Sequence, residues 1–446
     1  MQNQLGGCKR FSTANERLRS GGEARGETPG VAGAGRGMLS RGRVGPPRGR
    51  LGLVCLLKTR SPVMLLVGTR PEALKLAPVA HALAARNHPF RLVVSGQHPS
   101  LARQALAEAG LSPDHDLAVH RDGNGLPDLV GAILARLAPI MVRDRPAMLL
   151  VQGDTATCLA GALAAFYAGI PIGHVEAGLR TGDLHEPFPE EGHRAMVGRI
   201  AALHFAPTRH AAERLIAEGI RPDTIEVVGN TSIDALHHSL RRLEAADVQQ
   251  EMRARFPFVW DQRQPIVLVT VHRRENQGQR LRAIAAGLAR FADAGMARIV
   301  LPLHPNPAVA GQLQARLGRF ASVSLLPPLD HLALLWLMQH ARLVVTDSGG
   351  IQEEAPALGI RTLVLREATE RVEGVEAGVA TLVPLRPEAI ACAIRSALAM
   401  PPIAPTCPYG DGKAAERIAG RVEAWLGAPA PAARVRAALL SRRALP

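Results

Sequence analysis

Residues 344–356 read V-V-T-D-S-G-G-I-Q-E-E-A-P, and this stretch decides the fold. The apolar run 343–345 predicts a buried strand that turns through Ser348, Gly349 and Gly350, and we expect a helix to begin at Ile351. Paired glycines let the backbone approach a ligand and aim several N–H groups at one point. The helix start adds its dipole, so the turn predicts a cradle for a phosphate or diphosphate. A capped strand-to-helix turn with nothing bound is the alternative.

The two acids of the same stretch, Glu353 and Glu354, are expected in the first helical turn. A carboxylate is favourable there for the helix alone. One of the two is also a candidate to accept hydrogen bonds from sugar hydroxyls.

Composition indicates a globular protein of 446 residues with two or three domains. No window approaches the run of about 18 apolar residues that a membrane-spanning helix needs, and the first residues lack the order of a secretory signal. We therefore expect a cytoplasmic protein without a membrane partner. The five cysteines are widely spaced and form no C-x-x-C pair, which argues against a disulfide framework or a zinc site.

The net charge of +14 lies mostly at the two ends of the chain. Residues 1–60 carry +9 and the residues after Glu423 carry +4, which leaves +1 for the rest. These basic residues lack a pattern of regularly interleaved aromatic residues, so we expect no dedicated nucleic-acid partner. RNA binding by the tails remains the remote alternative.

Strands and helices alternate from Val63 onward, and the rhythm restarts at Pro265. Near-continuous apolar strands between helices predict a parallel sheet that is covered on both faces. The fold class is therefore α/β, with two doubly wound Rossmann-like domains and a site in the cleft between them. The predicted divisions are a disordered basic extension at 1–60, domains at 61–235 and 236–408, a last helix within 409–426 and a basic tail at 427–446.

Charged residues follow the predicted strands of the first domain. Arg70 and Lys75 follow the first strand and could hold phosphate oxygens, although a solvated helix start is the alternative. Asp154 and Glu176 end two successive strands, so both carboxylates could face one ligand and serve general acid and base chemistry. Helix capping is the other role open to Asp154. Glu190 follows a Pro-Phe-Pro loop and is a third candidate carboxylate.

The second domain has a cationic cluster at the end of its first strand, in the stretch His272–Asn276. His272 is a candidate proton donor, and Arg371 lies after a later strand. The chain has no G-K-[ST] loop, and no G-x-G-x-x-G follows the first strand, which argues against a nucleotide triphosphatase and a tightly held dinucleotide. The histidines lack metal-ligand spacing with carboxylates on one element, so we expect no metal, and we expect no cofactor.

Eight sequence motifs, in the same order along the chain, are similar to those of one known family. They are G-T-R-P-E-A-L-K-L-A-P-V (68–79), Q-G-D-T-A-T (152–157), G-H-V-E-A-G-L-R-T-G (173–182), P-E-E-G-H-R (189–194), H-R-R-E-N (272–276), H-P-N-P (304–307), T-D-S-G-G-I-Q-E-E-A-P (346–356) and Y-G-D-G-K-A-A-E-R-I (409–418). With them the chain closely resembles the non-hydrolysing UDP-N-acetylglucosamine 2-epimerases over about residues 62–426.

The resemblance implies a glycosyltransferase-B-like fold, and interconversion of UDP-N-acetylglucosamine and UDP-N-acetylmannosamine through elimination and re-addition of UDP. It implies that the last helix packs back on the first domain, and we expect a homodimer. By the family pattern, proton transfer or its support falls to Asp154, Glu176 and Glu190, and His272 assists departure of UDP. Residues expected to hold the nucleotide and sugar are Arg70, Lys75, Ser348, Gly349, Gly350, Glu354 and Arg371.

Two departures and two rival activities accompany the resemblance. Val271 stands where smaller residues are usual, and the turn G-Q-H-P-S-L (96–101) has Pro99 and Ser100 altered, which weighs against activation by a second UDP-N-acetylglucosamine molecule. A hydrolysing epimerase that releases N-acetylmannosamine is one rival, although such relatives tend to lack the P-E-A-x-K continuation kept at 71–75. An epimerase for a diacetamido or uronate UDP-sugar is the other.

Overall fold

The structure, a computed structural model, describes residues 61–119, 125–260 and 264–428. The expectations for 1–60 and for the tail beyond residue 428 lie outside the described residues. The first half contains the strands β1 Val63–Val67, β2 Phe90–Val94, β3 His115–Asp116, β4 Met148–Gln152, β5 Ile172–Val175, β6 Leu203–Ala206 and β7 Ile225–Val227. Its helices are α1 Arg70–Ala85, α2 Pro99–Glu108, α3 Leu126–Asp144, α4 Ala156–Tyr167, α5 Glu190–Ile200, α6 Arg209–Ala217 and α7 Thr231–Leu243.

The second half begins after α7. Its strands are β8 Ile266–Thr270, β9 Arg298–Pro302, β10 Val323–Leu326, β11 Leu343–Thr346, β12 Thr362–Val364 and β13 Ala380–Leu382. The helices that follow α7 are α8 Ala246–Arg255, α9 Gln279–Ala292, α10 Pro307–Leu317, α11 His331–Gln339, α12 Gly349–Ala357, α13 Val372–Glu376, α14 Pro387–Ala399 and α15 Ala414–Gly427.

Each half is built on one parallel sheet. In the described residues the first sheet has the order β3-β2-β1-β4-β5-β6-β7 and the second has β10-β9-β8-β11-β12-β13. The order reverses between β1 and β4 in the first sheet, and between β8 and β11 in the second. At such a switch point the loops after the two strands diverge to opposite faces and leave a crevice for a ligand.

Alternate residues of the central strands enter different cores. Val63 and Leu65 pack into one cluster with α1, whereas Met64 and Leu66 pack into another with α3 and α4. This alternation explains why the strand has no polar face, because helices cover both sides of the sheet. The predicted α/β class with two Rossmann-like halves is confirmed by this architecture.

The last helix crosses back to the first half. Ile418 and Val422 of α15 lie in the same buried cluster as Leu76 of α1. The Asp234 carboxylate of α7 accepts hydrogen bonds from the N–H groups of Ala414 at 3.2 Å and Ala415 at 2.9 Å. Asp234 thus caps the start of α15 from another helix and satisfies N–H groups that the helix itself leaves unpaired.

Two details differ from the sequence expectations. Helix α12 begins at Gly349 with Ser348 as its N-cap, so the expected start at Ile351 is wrong, and Glu353 and Glu354 lie beyond the first turn. The predicted domain boundary between residues 235 and 236 falls inside α7, which is one continuous helix. The domain limits therefore stay a prediction.

None of the helices in the described ranges combines the length and the apolar character needed to cross a membrane.

We predict that Asp234→Ala lowers the free energy of unfolding by about 1–2 kcal/mol, because it leaves the first N–H groups of α15 unpaired. Urea unfolding followed by circular dichroism measures the change. The matched control is Asp293→Ala, which removes an exposed acid at the end of α9 and should stay within about 0.5 kcal/mol of wild type. Equal unfolding curves for the two variants would contradict the capping role.

Candidate active site

The buried carboxylate of Glu72 joins the turn after β1 to the loop after β4. Glu72 accepts hydrogen bonds from the N–H groups of Gly68 at 3.0 Å and Thr69 at 2.7 Å, and from the Thr155 hydroxyl at 2.7 Å. Burial raises the pKa of Glu72 to about 7, although these donors favour the charged form. Glu72 thereby fixes the start of α1, the helix that carries Lys75, against the loop after β4 that carries Asp154.

Glu176 stands at the end of β5 in a conformation that favours glycine. Its φ of 65° lies in the left-handed region, which costs a non-glycine residue energy and is common at functional sites. The Lys75 ammonium lies 2.5 Å from Glu176 Oε2, and the Gln152 amide donates to the same oxygen. Because β4 and β5 are adjacent parallel strands, Glu176 and Asp154 emerge at the same sheet edge, as the sequence predicts.

Asp154 is held by an arginine from α5. Arg194 Nε donates to Asp154 Oδ2 at 2.8 Å, and Arg194 Nη1 donates to Glu191 Oε2 at 3.0 Å. Burial alone would raise the pKa of Asp154, but the Arg194 guanidinium lowers it below its usual value. Asp154 is therefore ionised at neutral pH and suited to accept a proton.

The second switch point carries a histidine and an aspartate. Asp347, directly after β11, accepts hydrogen bonds from the backbone N–H groups of His272 at 3.1 Å and Arg273 at 3.0 Å, and from the Asn276 amide at 3.0 Å. Its Oδ1 also lies 3.0 Å from His272 Nδ1. Burial opposes the charge on Asp347, but the His272 contacts lower its pKa. Half of the His272 side chain is exposed, so the ring can also contact a ligand.

One arginine joins the carboxylates of the first half to the glycine turn of the second. Arg371 Nη2 lies 3.3 Å from Glu176 Oε1 and 2.9 Å from Glu353 Oε1, and Nη1 donates to Glu370. A Cβ atom added at Gly349 would lie 2.7 Å from Arg371 Cζ, so only glycine leaves room for the guanidinium. Glu176 and the turn of residues 348–350 therefore share one crevice.

Opposite charges stabilise this buried network. Burial would lower the pKa of Lys75, but Glu176 and Glu353 raise it above its usual value, so the ammonium stays charged. Burial opposes the charge of Glu370 as well, but Arg371 and Arg366 hold its pKa well below the usual range. Glu176 differs, because burial raises its pKa despite Lys75. The first half thus presents one carboxylate that binds protons weakly, Asp154, and one that binds them more tightly.

Arg70 and Glu354 lie close enough to influence each other electrostatically. Burial and the neighbouring Glu353 carboxylate raise the pKa of Glu354 to about 8, although the charges of Lys75 and Arg70 oppose this shift. Burial and the Arg70 charge also lower the pKa of His331, at the start of α11, to about 4. The roles of Arg70 and Glu354 in holding a ligand stay a prediction, while Glu353 makes the direct ion pairs.

Glu190 is the candidate that the structure leaves apart. Across the described ranges, its carboxylate has no hydrogen bond or ion pair, and the next residue, Glu191, holds Arg194 instead. The sequence did not assign Arg194 or Asp347 to the site, and it left Glu353 as one of two candidate acids for the sugar hydroxyls. Each lies within a quoted motif, but the sequence does not show which side chain of a motif turns inward.

No group of three or more His, Cys, Asp or Glu side chains in the described part of the chain is arranged to hold a metal ion. Two facing Rossmann-like halves with a charged crevice between them define a protein of the glycosyltransferase-B-like class.

Comparisons with known proteins specify the family. The family model described as UDP-N-acetylglucosamine 2-epimerase matches residues 81–423. The enzyme of that name from Salmonella typhimurium is 43% identical over 364 residues, which cover 80% of this chain and 96% of the relative. The one from Escherichia coli K12 is 42% identical, with coverage of 80% and 96%.

Solved structures agree. The Neisseria meningitidis UDP-GlcNAc 2-epimerase, bound to UDP-GlcNAc, is 36% identical with a TM-score of 0.77, and the match covers 81% of this chain and 99% of the other. The Methanocaldococcus jannaschii enzyme, in complex with UDP-GlcNAc and UDP, is 32% identical with a TM-score of 0.73, and coverage is 82% and 99%. The chain belongs to the UDP-N-acetylglucosamine 2-epimerase family, and the resemblance seen in its motifs is confirmed.

The raised pKa of Glu354 predicts a pH-dependent stability. An unfolded chain loses this proton near pH 4.5, whereas the folded protein keeps it to about pH 8. The folded state therefore binds more protons in this window, so stability falls as pH rises from about 4.5 to 8. Glu354→Gln removes this loss, and its thermal midpoint should exceed that of wild type by about 2 °C or more at pH 8 but not at pH 5.

The control for this prediction is Glu376→Gln, on the exposed surface of α13. Its difference from wild type should be the same at both pH values. If the thermal midpoint of Glu354→Gln also differed from wild type by the same amount at pH 5 and pH 8, Glu354 would be shown to ionise freely in the folded protein.

Proposed function

We propose that this chain catalyses the reversible epimerisation of UDP-N-acetylglucosamine and UDP-N-acetylmannosamine at C2, by elimination of UDP and its re-addition through a glycal intermediate. The observation that carries the proposal is the Arg371 bridge, which joins Glu176 of the first half to the glycine turn of the second. Groups suited to proton transfer thus meet groups suited to a diphosphate in one crevice. The family, to which this chain belongs over most of its length, supports the same activity.

The chemistry explains why both sets of groups are needed. The C2 proton is not adjacent to a carbonyl, so no simple enolate can form. Cleavage of the C1–O bond gives C1 positive character and makes the neighbouring proton more acidic. The departing diphosphate then needs fixed cations and N–H donors, which are most effective where water is excluded.

Each candidate residue has a proposed role. Asp154, Glu176 and Glu190 carry or support proton transfer on the two faces of C2, and His272, oriented by Asp347, assists departure of UDP. The nucleotide and sugar are held by Arg70, Lys75, Ser348, Gly349, Gly350, Glu354 and Arg371. The first turn of α12 supplies free N–H groups and a positive dipole end for the diphosphate. No cofactor is required by this route.

Isotope exchange tests the reaction. Incubation with UDP-N-acetylglucosamine in heavy water should place deuterium at C2 of both epimers, observed by proton NMR. Epimerisation without deuterium exchange is not expected, because a proton returns from solvent with every inversion. Products without C2 deuterium would contradict elimination and re-addition, and accumulation of free N-acetylmannosamine would favour the hydrolysing alternative.

We predict that Asp154→Asn and Glu176→Gln each lower kcat by about 100-fold or more, because general acid and base catalysis contributes effects of that size. UDP affinity, measured by calorimetry, should stay within about threefold of wild type, since the diphosphate turn lies in the second half. Glu376→Gln on the surface serves as the control, with unchanged kcat. Near-full turnover of either site variant would remove its assigned role.

The oligomeric state and the cellular location of the protein also stay proposals. We infer a homodimer, supported by the exposed apolar side chains of Phe166 and Tyr167, which are 54% and 73% accessible at the end of α4. Light scattering after size-exclusion chromatography measures the mass. A cytoplasmic location stays the prediction from the sequence.

A further inference from the structure

Arg194 is held by acids from both halves of the protein. In its own half, Arg194 Nη2 lies 2.7 Å from Asp154 Oδ2, and Nη1 lies 3.0 Å from Glu191 Oε2. From the other half, Glu370 Oε1 lies 3.7 Å from Arg194 Nη2. The same nitrogen thus faces both Asp154 and Glu370, so any movement of Glu370 acts on the partner of Asp154.

Glu370 is a buried carboxylate surrounded by four arginines. Its side chain has 0% exposure, and Arg366 Nη1 lies 2.8 Å from its Oε2. Arg273 Nη2 lies 3.8 Å from its Oε1, and Arg371 donates to the same oxygen. Of these cations, Arg194 is the one contributed by the first half. A buried network of this kind is fully satisfied only when all its members are in place.

We propose that Glu370 is a positioning residue for the epimerisation, which reaches across the cleft to Arg194 and so sets the Asp154 carboxylate for proton transfer when the two halves meet. The inference rests on the proposed role of Asp154. Enzymes with a site between two domains commonly open and close around the substrate by hinge motion. Separation would remove Glu370 from Arg194, and closure would restore it.

The electrostatic effect has a definite sign. Arg194 lowers the pKa of Asp154, and the Glu370 charge opposes that effect. When Glu370 is withdrawn, its negative charge no longer offsets the effect of Arg194. The pKa of Asp154 then falls further, and Asp154 becomes a weaker base. The charged or titratable groups that surround Asp154 are Arg194 and His193 on α5, Cys158 on α4, His174 on β5, and Glu370 and Arg371 from the second half.

The test is Glu370→Gln, which keeps the size and one acceptor oxygen of the side chain but removes its charge. We expect kcat to fall by about tenfold or more, because misplaced reacting groups lose much of their rate. Asp154 must be ionised to accept a proton, so its pKa sets the acid limb of the kcat–pH profile. Loss of the Glu370 charge should move this limb to lower pH by about half a unit to one unit.

The matched control is Glu275→Gln. Glu275 Oε1 lies 3.1 Å from Arg366 Nε and 3.9 Å from Arg273 Nη1, in the same group of arginines, but it does not reach Arg194. The KM of the Glu275→Gln variant is free to change, while the acid limb of its kcat–pH profile should stay at the wild-type pH. An equal shift in both variants would show a general charge effect and overturn the inference.

Two further variants, Glu370→Asp and Asp154→Asn, distinguish failure of this inference from failure of the proposed role of Asp154. If Glu370→Gln does not fold, Glu370→Asp keeps the charge but withdraws it by one methylene, and kcat should still fall by about threefold or more with the acid limb near wild type. Wild-type kcat in that variant would overturn the inference. Asp154→Asn with full turnover would overturn the proposed role of Asp154 and this inference together. An inactive Asp154→Asn beside an unshifted Glu370→Gln profile would overturn the inference alone.

Discussion

The structure depends on the buried ionic contact between Arg371 and three carboxylates, Glu176, Glu353 and Glu370. Moving charges out of water costs free energy unless opposite charges and hydrogen bonds take the place of the lost water. Breaking a buried ion pair therefore typically costs about 3–5 kcal/mol. Here the partners come from two separate sheets. Each half alone would expose part of this network to water, so the network is fully paired and buried only where the halves face each other.

The sheets explain why chemically different groups meet at this place. In each sheet the strand order reverses beside the first strand, and the segments that follow the strands at this point and the next strand along carry the functional side chains. The first sheet supplies carboxylates through Asp154 and Glu176. The second supplies the glycine turn and the His272–Asp347 pair. This division matches the needs of a reaction that moves a proton at a sugar carbon while a diphosphate leaves its neighbour.

The sequence predicted the central elements better than the outer ones. Strand β1 begins at Val63, where the alternation of strands and helices was expected to start, and β8 begins directly after Pro265, where it was expected to restart. Strand β11 covers the apolar run 343–345. The edge strands of the two sheets, β3, β7, β10 and β13, give a weaker sequence signal. Edge strands are short here and only partly covered, as in His115–Asp116, so they carry no continuous apolar run. The start of α12 was misplaced because glycines at 349 and 350 have low helix propensity, whereas the structure includes both in its first turn.

By itself the sequence determined the α/β class, the family and the motifs that enter the site, because apolar periodicity and motif order are local properties. Only the tertiary structure decided which acid of each pair makes the ion pairs. Glu191 rather than Glu190 holds Arg194, and Glu353 rather than Glu354 pairs with Lys75. Adjacent residues on a helix point about 100° apart, and the partner that selects one of them lies on a distant segment or in the other half. Such a choice depends on the packing of two sheets, which no local pattern encodes.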